Sequence, residues 1–361
     1  MASKMILCRC LMVILGIIIQ TYCPVSSRPL ARRDADNSTS SLRAIFRDWM
    51  TLHGKSYPLA SDEYEMRFQI FKENVNYIEA LNAKPGRSYK LGINEFTDLT
   101  HNEFTAIYAS GLKSVDITKP KRFPASASEK RFRHESKTAS PLPNRVSWKT
   151  NGAVTAAKNQ GNCGSCWVFS AVAAVEALNF IKTGKLKTLS EQEFMDCAVP
   201  FNVDPCTGYD LRKVFDAITK VGIANETDYP YTAVRGNCKL PLPVAATIDG
   251  YDDSYPRNDE IALQEYVATR PVSVSINGAA EGFQHYKSGV FSSGDCHGRV
   301  ETNHAVLLIG YGTDPDTGVD YWKIKNSWGL GWGMAGIGMI QRGGCGPQGH
   351  LGIASEGLYP I

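Results

Sequence analysis

A short motif in the middle of the chain combines two cysteines with a glutamine and a tryptophan. It reads Gln160-Gly-Asn-Cys163-Gly-Ser-Cys166-Trp167. A Cys-x2-Cys pair alone is compatible with a zinc site or with a redox-active pair of thiols. Zinc would need a second pair of cysteines, or histidines at ligand spacing, and neither is evident in the sequence. We therefore expect no metal ion and no cofactor at this motif.

The cysteine count helps to separate the remaining alternatives. Of ten cysteines, Cys8, Cys10 and Cys23 lie in the first 27 residues, which resemble a cleaved signal, and the other seven all follow residue 160. In a secreted protein an odd number suggests three disulfides and one spare thiol. A redox pair would leave five further cysteines, which is still odd. We therefore expect Cys163 to be bridged and Cys166 to be free.

Cys166 begins the segment 166–181, which is apolar on nearly all sides and is typical of a buried helix. A helix N-terminus carries roughly half a positive charge and favours a thiolate, which is the nucleophilic form of cysteine. An imidazolium would stabilise the thiolate further, and His304 is the candidate. A lone histidine is more often structural. The motif Asn326-Ser-Trp328-Gly329 favours a functional one, because an asparagine can accept the imidazole N–H and a tryptophan can shield that bond from water.

The elements that must position these groups change in type along the chain. After residue 142 the first half has helical patterns, including the segment 209–221 and a capping-box sequence at residues 190–193. The second half contains short runs rich in β-branched and aromatic residues, bounded by glycine or aspartate turns. These patterns predict an α+β protein with a helical lobe at about 150–250, a β lobe at about 251–361 and a cleft between them.

The first 27 residues have the features of a secretory signal. Lys4 and Arg9 precede an unbroken apolar run from Leu11 to Ile19, and Val25-x-Ser27 offers small residues for cleavage. A membrane anchor is the alternative, but nine residues at 1.5 Å each cannot cross a hydrocarbon core of about 30 Å. No later segment has 18 consecutive apolar residues, so we expect the mature chain not to be embedded in a membrane.

Residues 28–141 predict a separate, mainly helical region followed by a linker. An amphipathic stripe marks a helix at 41–55, a second helix is expected at about 61–83, and residues 113–141 are rich in Lys, Arg, Ser, Ala and Pro. Residues 1–141 carry a net charge of +7 and residues 142–361 a net charge of −4, which together give +3. The two parts should attract each other, and the small total charge does not favour nucleic-acid binding.

The segments 160–170, 303–312 and 326–333 resemble the papain family of cysteine peptidases, in a plant-like form. The motif at residues 92–98 is similar to the Gly-x-Asn-x-Phe-x-Asp motif of the family's inhibitory propeptides. All six positions of the propeptides' ERFNIN signature are matched, by Glu63, Arg67, Phe71, Asn74, Ile78 and Asn82.

The resemblance covers residues 41–361 and implies the architecture. It implies a papain-like two-lobe fold, with a helical lobe, an antiparallel β-barrel-like lobe and the active site in the cleft between them. A helical propeptide, residues 28–141 with its core at about 41–100, would precede the mature peptidase of residues 142–361. Autoprocessing is expected near residues 140–142 at acid pH.

The resemblance also implies the chemistry of a cysteine endopeptidase made as a zymogen. Cys166 would attack the scissile carbonyl and form a thioester, His304 would protonate the leaving amine, and Asn326 would orient His304. The Gln160 side chain and the Cys166 backbone N–H would donate to the oxyanion. A catalytically weakened storage or binding protein on the same fold, or a propeptide that acts as an inhibitor of other enzymes, are the alternatives.

Three disulfides are implied by the same resemblance. Two of them are Cys163–Cys206 and Cys197–Cys238. In the family the last cysteine normally precedes Gly-Ile-Ala, and Leu351 occupies that place here. The third expected bridge is therefore Cys296–Cys345.

The substrate groove departs from the family pattern. The wall sequence Cys206-Thr-Gly208-Tyr209 is one residue shorter than usual, which weakens or shifts the expected backbone pairing with substrate. Asp210 and Glu356 would let the pocket for the second residue before the scissile bond accept a basic side chain, unless both carboxylates point to water. The residues expected to contact substrate are Gly208, Tyr209, Asp210, Ser275, Thr302, Asn303, Ala305, Trp328 and Glu356.

The resemblance implies protein and peptide substrates, the chain's own propeptide as an inhibitor, inhibitors of the cystatin type, and a monomeric enzyme. The signal places the protein in the secretory pathway, with an extracellular or a vacuolar (lysosomal) destination. Asn37 and Asn225 begin Asn-x-Thr sequences that can be glycosylated there.

Overall fold

The structure is a computed structural model that describes residues 30–112, 141–252, 256–294 and 299–361, with side chains from residue 40 onward. The predicted signal, nearly all of the predicted linker, the Asn37 side chain and Cys296 lie outside the described residues. The chain divides into two units, residues 1–56 and residues 57–361.

The first unit contains one described helix, α1 (Leu30–Leu52). The apolar stripe predicted for residues 41–55 falls on this helix. Within it the rings of Phe46 and Trp49 stack with centroids 5.7 Å apart. The helix ends where Lys55 N–H donates to the Met50 carbonyl, and the Lys55 ammonium lies over the Trp49 ring.

The second unit contains the remaining elements. Its helices are α2 (Asp62–Asn82), α3 (His101–Tyr108), α4 (Cys166–Thr183), α5 (Gln192–Cys197), α6 (Arg212–Val221) and α7 (Glu260–Val267). Its strands are β1 (Tyr89–Leu91), β2 (Val146–Ser147), β3 (Tyr251–Asp252), β4 (Val272–Ile276), β5 (Tyr286–Phe291), β6 (His304–Thr313), β7 (Asp320–Lys325), β8 (Ile337–Gln341) and β9 (Gly357–Pro360).

The strands form one sheet in the order β1-β5-β8-β7-β6-β4-β9-β3, with β2 paired to β6. All of the pairs are antiparallel except β5 with β8. The α+β class is confirmed. The expectation of a barrel-like sheet is wrong, because among the described strands the sheet runs from β1 to β3 without closing on itself.

Helix α4 belongs to one of two hydrophobic cores and β7 to the other, while β6 and β8 contribute residues to both. The first twelve residues of α4 are all buried, and Gly184 ends the helix with φ +70°. The length and composition of α4 would allow it to cross a membrane, but 67% of that window is buried inside the protein. The apolar character of this segment is therefore explained by its position as a core helix.

The segment 57–112, called the N-terminal segment below, is held together by polar residues on one face of α2. Arg67 Nη1 donates to the Asp98 carbonyl at 3.1 Å and to the Glu103 carboxylate at 3.0 Å. Glu103 also accepts the N–H of Thr100, which completes a capping box at the start of α3. Arg67 thus ties α2 to α3.

Two asparagines of α2 bind the backbone that follows it. Asn74 Nδ2 donates to the carbonyls of Thr97 (2.8 Å) and Leu99 (2.9 Å). Asn82 exchanges two hydrogen bonds of 2.9 Å with the backbone of Leu91. These asparagine side chains therefore supply hydrogen-bond partners for backbone groups of the irregular segment 91–100 that have no partner in a helix or sheet.

We predict that Asn74→Ala destabilises this segment by about 2 kcal/mol, because it removes two hydrogen bonds worth about 1 kcal/mol each. Gln69→Ala is the matched control, since Gln69 is exposed on α2 and its amide contacts only Glu73 among the described residues. Hydrogen exchange of the α2 amides in the full-length chain measures the difference. Equal protection in the two variants would contradict this role of Asn74.

Candidate active site

Cys166 is the first residue of α4, is fully buried and is the free cysteine of the described residues. Its Sγ accepts the backbone N–H of Ala305 at 3.4 Å. Ala305 follows His304, the first residue of β6. This hydrogen bond therefore places the N-terminus of α4 next to the start of β6.

His304 is oriented by Asn326, which directly follows β7. Its Nε2 lies 2.8 Å from Asn326 Oδ1, which also accepts the Ser327 N–H at 2.8 Å. Because Oδ1 acts as an acceptor, Nε2 carries the proton and Nδ1 is left with a lone pair. Nδ1 is buried and has no hydrogen-bond partner in the part of the chain that the structure describes. The lone pair is thus available to take a proton.

Aromatic rings cover this pair from one side. The Trp328 ring stacks on His304 with centroids 4.5 Å apart and an interplanar angle of 28°. Phe104 and Phe96 of the N-terminal segment meet Trp328 edge to face at 5.0 and 6.1 Å. Phe283 also meets the Trp328 ring edge to face, with centroids 5.8 Å apart. The rings exclude water from the His304–Asn326 hydrogen bond.

Gln160 is held by hydrogen bonds to Ser327 and to Cys163. Its Oε1 accepts the Ser327 hydroxyl at 2.7 Å, and its Nε2 donates to the Cys163 carbonyl at 2.8 Å. The Gln160 backbone N–H donates to the Ser327 carbonyl. Since an amide Nε2 carries two N–H groups, the side chain keeps a second donor in a fixed orientation.

The N-terminal segment crosses directly over Cys166. A Cβ atom on Gly111 would lie 2.5 Å from Cys166 Sγ, so only glycine fits there. Gly111 O accepts the Tyr209 N–H at 3.3 Å, and the next residue, Leu112, donates its N–H to Asn303 O at 3.3 Å. The thiol is therefore covered by chain that is bonded to both walls.

The shortened wall still admits this chain because of Gly208. Gly208 has φ +88°, and a Cβ there would lie 2.8 Å from the Ser110 carbonyl oxygen. Leu112 and Tyr209 form a parallel bridge. Backbone pairing at the wall is thus present despite the missing residue, at least for this segment.

Burial controls the charges of the covered pair. Burial raises the pKa of the Cys166 thiol to about 12, against the lowering effect of backbone N–H groups that include those of Ala305, Trp167 and Gly111. Burial also lowers the pKa of His304 to about 4, although its bond to Asn326 acts in the opposite direction. At neutral pH the covered pair is a neutral thiol and a neutral imidazole. The thiolate expected from the helix N-terminus is therefore not the state of the covered site.

The residues predicted for substrate contact fall into two groups. Asp210, Ser275 and Glu356 line one pocket, and Leu112 also lines it. Two arginines in that pocket, Arg212 and Arg257, were not predicted. No local motif relates residue 257 to residue 356, so the sequence carried no signal for their proximity.

The other predicted contact residues lie outside the lining of that pocket. Tyr209 meets the Trp167 ring edge to face at 5.3 Å, and its N–H binds Gly111 as described. Thr302 lies against Gly352. Ala305 is buried next to Cys166 Sγ. These three residues do not line the pocket of Asp210 and Glu356.

Disulfides fix the thiol motif to the wall. Cys163 is bridged to Cys206, and the Gly164 N–H donates to the Cys206 carbonyl at 2.9 Å. Cys197 is bridged to Cys238. Cys345 is also disulfide-bonded, whereas its predicted partner Cys296 lies outside the described residues.

The comparisons with known proteins agree with this geometry. Residues 142–361 match the papain family cysteine protease domain, and residues 46–104 match the cathepsin propeptide inhibitor domain (I29). The chain is 44% identical over 329 residues to the KDEL-tailed cysteine endopeptidase CEP2 of Arabidopsis thaliana, with 90% of this chain and 87% of that protein covered. It is 40% identical over 327 residues to ananain of Ananas comosus, with 90% and 89% covered.

A solved structure of the recombinant stem bromelain precursor superposes with a TM-score of 0.76 at 40% identity. The match covers 89% of this chain and 99% of that one. The chain therefore belongs to the papain family and is a cysteine endopeptidase that carries its own propeptide inhibitor domain.

Proposed function

We propose that this endopeptidase is made in the secretory pathway as a latent zymogen and cleaves peptide bonds through a thioester on Cys166. The observation that carries the proposal is the unbridged Cys166 thiol beside the His304–Asn326 pair, covered by Gly111. The storage-protein alternative is not favoured, because Cys166, His304, Asn326 and Gln160 are all present.

The first step follows from exposure of the site. When residues 109–112 leave, water reaches Cys166 and His304, and the cost of burying charge on them falls. The thiol proton then moves to the lone pair of His304 Nδ1, which leaves a thiolate and an imidazolium. The helix N-terminus and the Ala305 N–H stabilise the thiolate.

The chemical steps use the same groups. The thiolate attacks the scissile carbonyl, and the oxyanion is bound by the free N–H of Gln160 Nε2 and the backbone N–H of Cys166. Nδ1–H of His304 protonates the departing amine as the C–N bond breaks, which leaves the thioester. His304 then takes a proton from water, whose oxygen attacks the thioester; the C–S bond breaks, the acid leaves, and the Cys166 thiolate is restored beside the His304 imidazolium.

The second part of the proposal concerns the targeting and processing of the zymogen. Residues 1–27 act as the signal, and cleavage near residues 140–142 releases the mature enzyme of residues 142–361. The relatives include a KDEL-tailed plant protease, which supports entry into the secretory pathway, and we place the destination of this enzyme outside the cell or in the vacuole. Asn225 is partly exposed next to Asp228 and is the glycosylation candidate on the mature part.

Replacement of the nucleophile gives a direct test. We predict that the Cys166→Ser zymogen does not process itself and is not labelled by a thiol-reactive active-site probe, because a neutral hydroxyl beside this histidine is a weak nucleophile. Added mature wild-type enzyme should still cleave it near residues 140–142. Self-processing at the wild-type rate would refute the role of Cys166.

A second test concerns the oxyanion. We predict that Gln160→Ala lowers kcat by about 10²–10³-fold with little change in KM, because its free N–H acts mainly in the transition state. Ser327→Ala, which removes only the bond that orients Gln160 Oε1, should have a smaller effect. Steady-state kinetics of the mature enzymes measure both, and a loss below threefold for Gln160→Ala would exclude it from the oxyanion site.

Acid activation has a candidate group at the propeptide interface. His285 lies at the end of the turn before β5, is 3% exposed, and faces Tyr77 of the propeptide with ring centroids 6.4 Å apart. Burial, with a smaller contribution from His101, lowers the pKa of His285 from 6.5 to about 4. Tyr77 in turn donates to the Glu281 carboxylate. Because the docked state depresses this pKa, docking is fully stable above pH 6.5 and weakens as the pH falls toward 4.

We predict that His285→Phe slows propeptide release at pH 4–5 and leaves the rate at pH 7 nearly unchanged, because phenylalanine cannot become charged in this site. Lys90→Gln, on the exposed side of β1, is the control for altered charge at the same interface. Release is followed by gel analysis of zymogen incubated at each pH. A His285→Phe profile that follows the wild-type curve would remove this residue from the acid response.

A further inference from the structure

A half-buried charged pocket lies one residue along the covering chain from the reactive sulfur. Gly111 lies against Cys166 Sγ, and the next residue, Leu112, lines the pocket. A substrate side chain close to the scissile bond therefore enters the same pocket once the propeptide has left. The rest of its lining is Asp210, Leu211, Arg212, Arg257, Ser273, Val274, Ser275, Glu356 and Leu358.

Each carboxylate in this pocket already has a cation. Glu356 lies 3.8 Å from the Arg257 guanidinium and accepts the Ser275 hydroxyl. Asp210 lies 3.3 Å from Arg212 Nε, two residues further along the chain. The pocket is thus electrically balanced, although its carboxylates alone suggest an acidic site.

The two ion pairs differ in how firmly they are held. Asp210 also accepts the Arg212 backbone N–H at 2.9 Å, so that pair is bonded at both backbone and side chain. The Arg257–Glu356 pair joins two distant parts of the chain through one longer contact, and the two side chains are 25% and 14% exposed. Arg257 is therefore the cation that a substrate side chain would have to replace.

We propose that Arg257 is a specificity-determining residue that keeps Glu356 from binding a basic substrate side chain. A lysine or arginine in the second position before the scissile bond would have to displace Arg257 and leave one of two cations without a partner in a partly dehydrated pocket. Leucine-like side chains meet Val274, Leu211 and Leu358 without disturbing the pair. The inference rests on the proposed function and departs from the expected acceptance of basic residues.

The experiment compares two fluorogenic peptides that differ only at this position, with Leu-Arg or Arg-Arg before the scissile bond. The wild-type mature enzyme should prefer Leu-Arg by at least about tenfold in kcat/KM. Arg257→Ala should raise kcat/KM for Arg-Arg about tenfold, because it leaves Glu356 free to pair with the substrate. The ratio of kcat/KM for Leu-Arg to that for Arg-Arg should therefore fall by about tenfold relative to the wild-type ratio.

Three further variants sharpen the result. Arg257→Lys keeps a cation and should retain the wild-type preference. Arg257→Gln repeats the charge removal with a side chain closer in size, in case the alanine variant fails to fold. Adding Glu356→Gln to Arg257→Ala should abolish the gain for Arg-Arg, because the gain depends on the freed carboxylate.

An unchanged Leu-to-Arg ratio in active Arg257→Ala and Arg257→Gln enzymes would overturn this inference alone. Equal cleavage of both peptides by the wild-type enzyme would also overturn it. A wild-type mature enzyme that cleaves neither peptide and resists the thiol probe would contradict the proposed function as well.

Discussion

The dehydration of Cys166 and His304 is the interaction on which the rest of this structure depends. A helix N-terminus stabilises an anion beside it by at most about 2 kcal/mol. Burial moves the thiol pKa from 9.0 to about 12, which corresponds to about 4 kcal/mol against the thiolate. The larger effect decides the charge state, so the covered pair is neutral although the His304–Asn326 hydrogen bond is already formed. Activation then requires hydration of the pair and no rearrangement of the His304–Asn326 bond.

The propeptide keeps water from the site through strand pairing, amide hydrogen bonds and aromatic packing, all of which join uncharged groups. Strand β1 extends the sheet of the mature part by pairing with β5, and Gln284 binds the Phe96 and Leu99 carbonyls while its own carbonyl accepts the Asn94 amide. Phe96 and Phe104 then pack against Trp328, whose ring covers the His304–Asn326 hydrogen bond. The motif at residues 92–98 therefore acts on the active site through packing, while the long-range attraction between oppositely charged parts remains a prediction about the approach of the two.

Motifs and periodicity were sufficient to predict the α+β class, the buried helix that begins at Cys166 and the short strands in the second half of residues 142–361. They also placed Cys166, His304, Asn326 and Gln160 in one candidate site, since each lies in a local sequence whose residue types match a single chemistry. The barrel-like sheet implied by the family resemblance was wrong, because whether a sheet closes depends on pairings between distant segments, which short motifs do not specify. The neutral state of Cys166 was missed for a related reason. Burial by Gly111 is a tertiary effect, whereas the helix N-terminus can be recognised from local sequence.

The same distinction between local and tertiary information explains the pocket around Glu356. Counting acidic residues at the expected positions predicted a site for basic side chains, because Asp210 and Glu356 are visible in the sequence and their partners are not. Arg212 is close to Asp210 in the chain, yet Arg257 reaches Glu356 only through the fold that packs α7 against the sheet. The net charge of a pocket, and hence the side chain it selects, depends on every ionisable group that the fold places there. A substrate preference inferred from carboxylates alone therefore has to be corrected for the cations beside them.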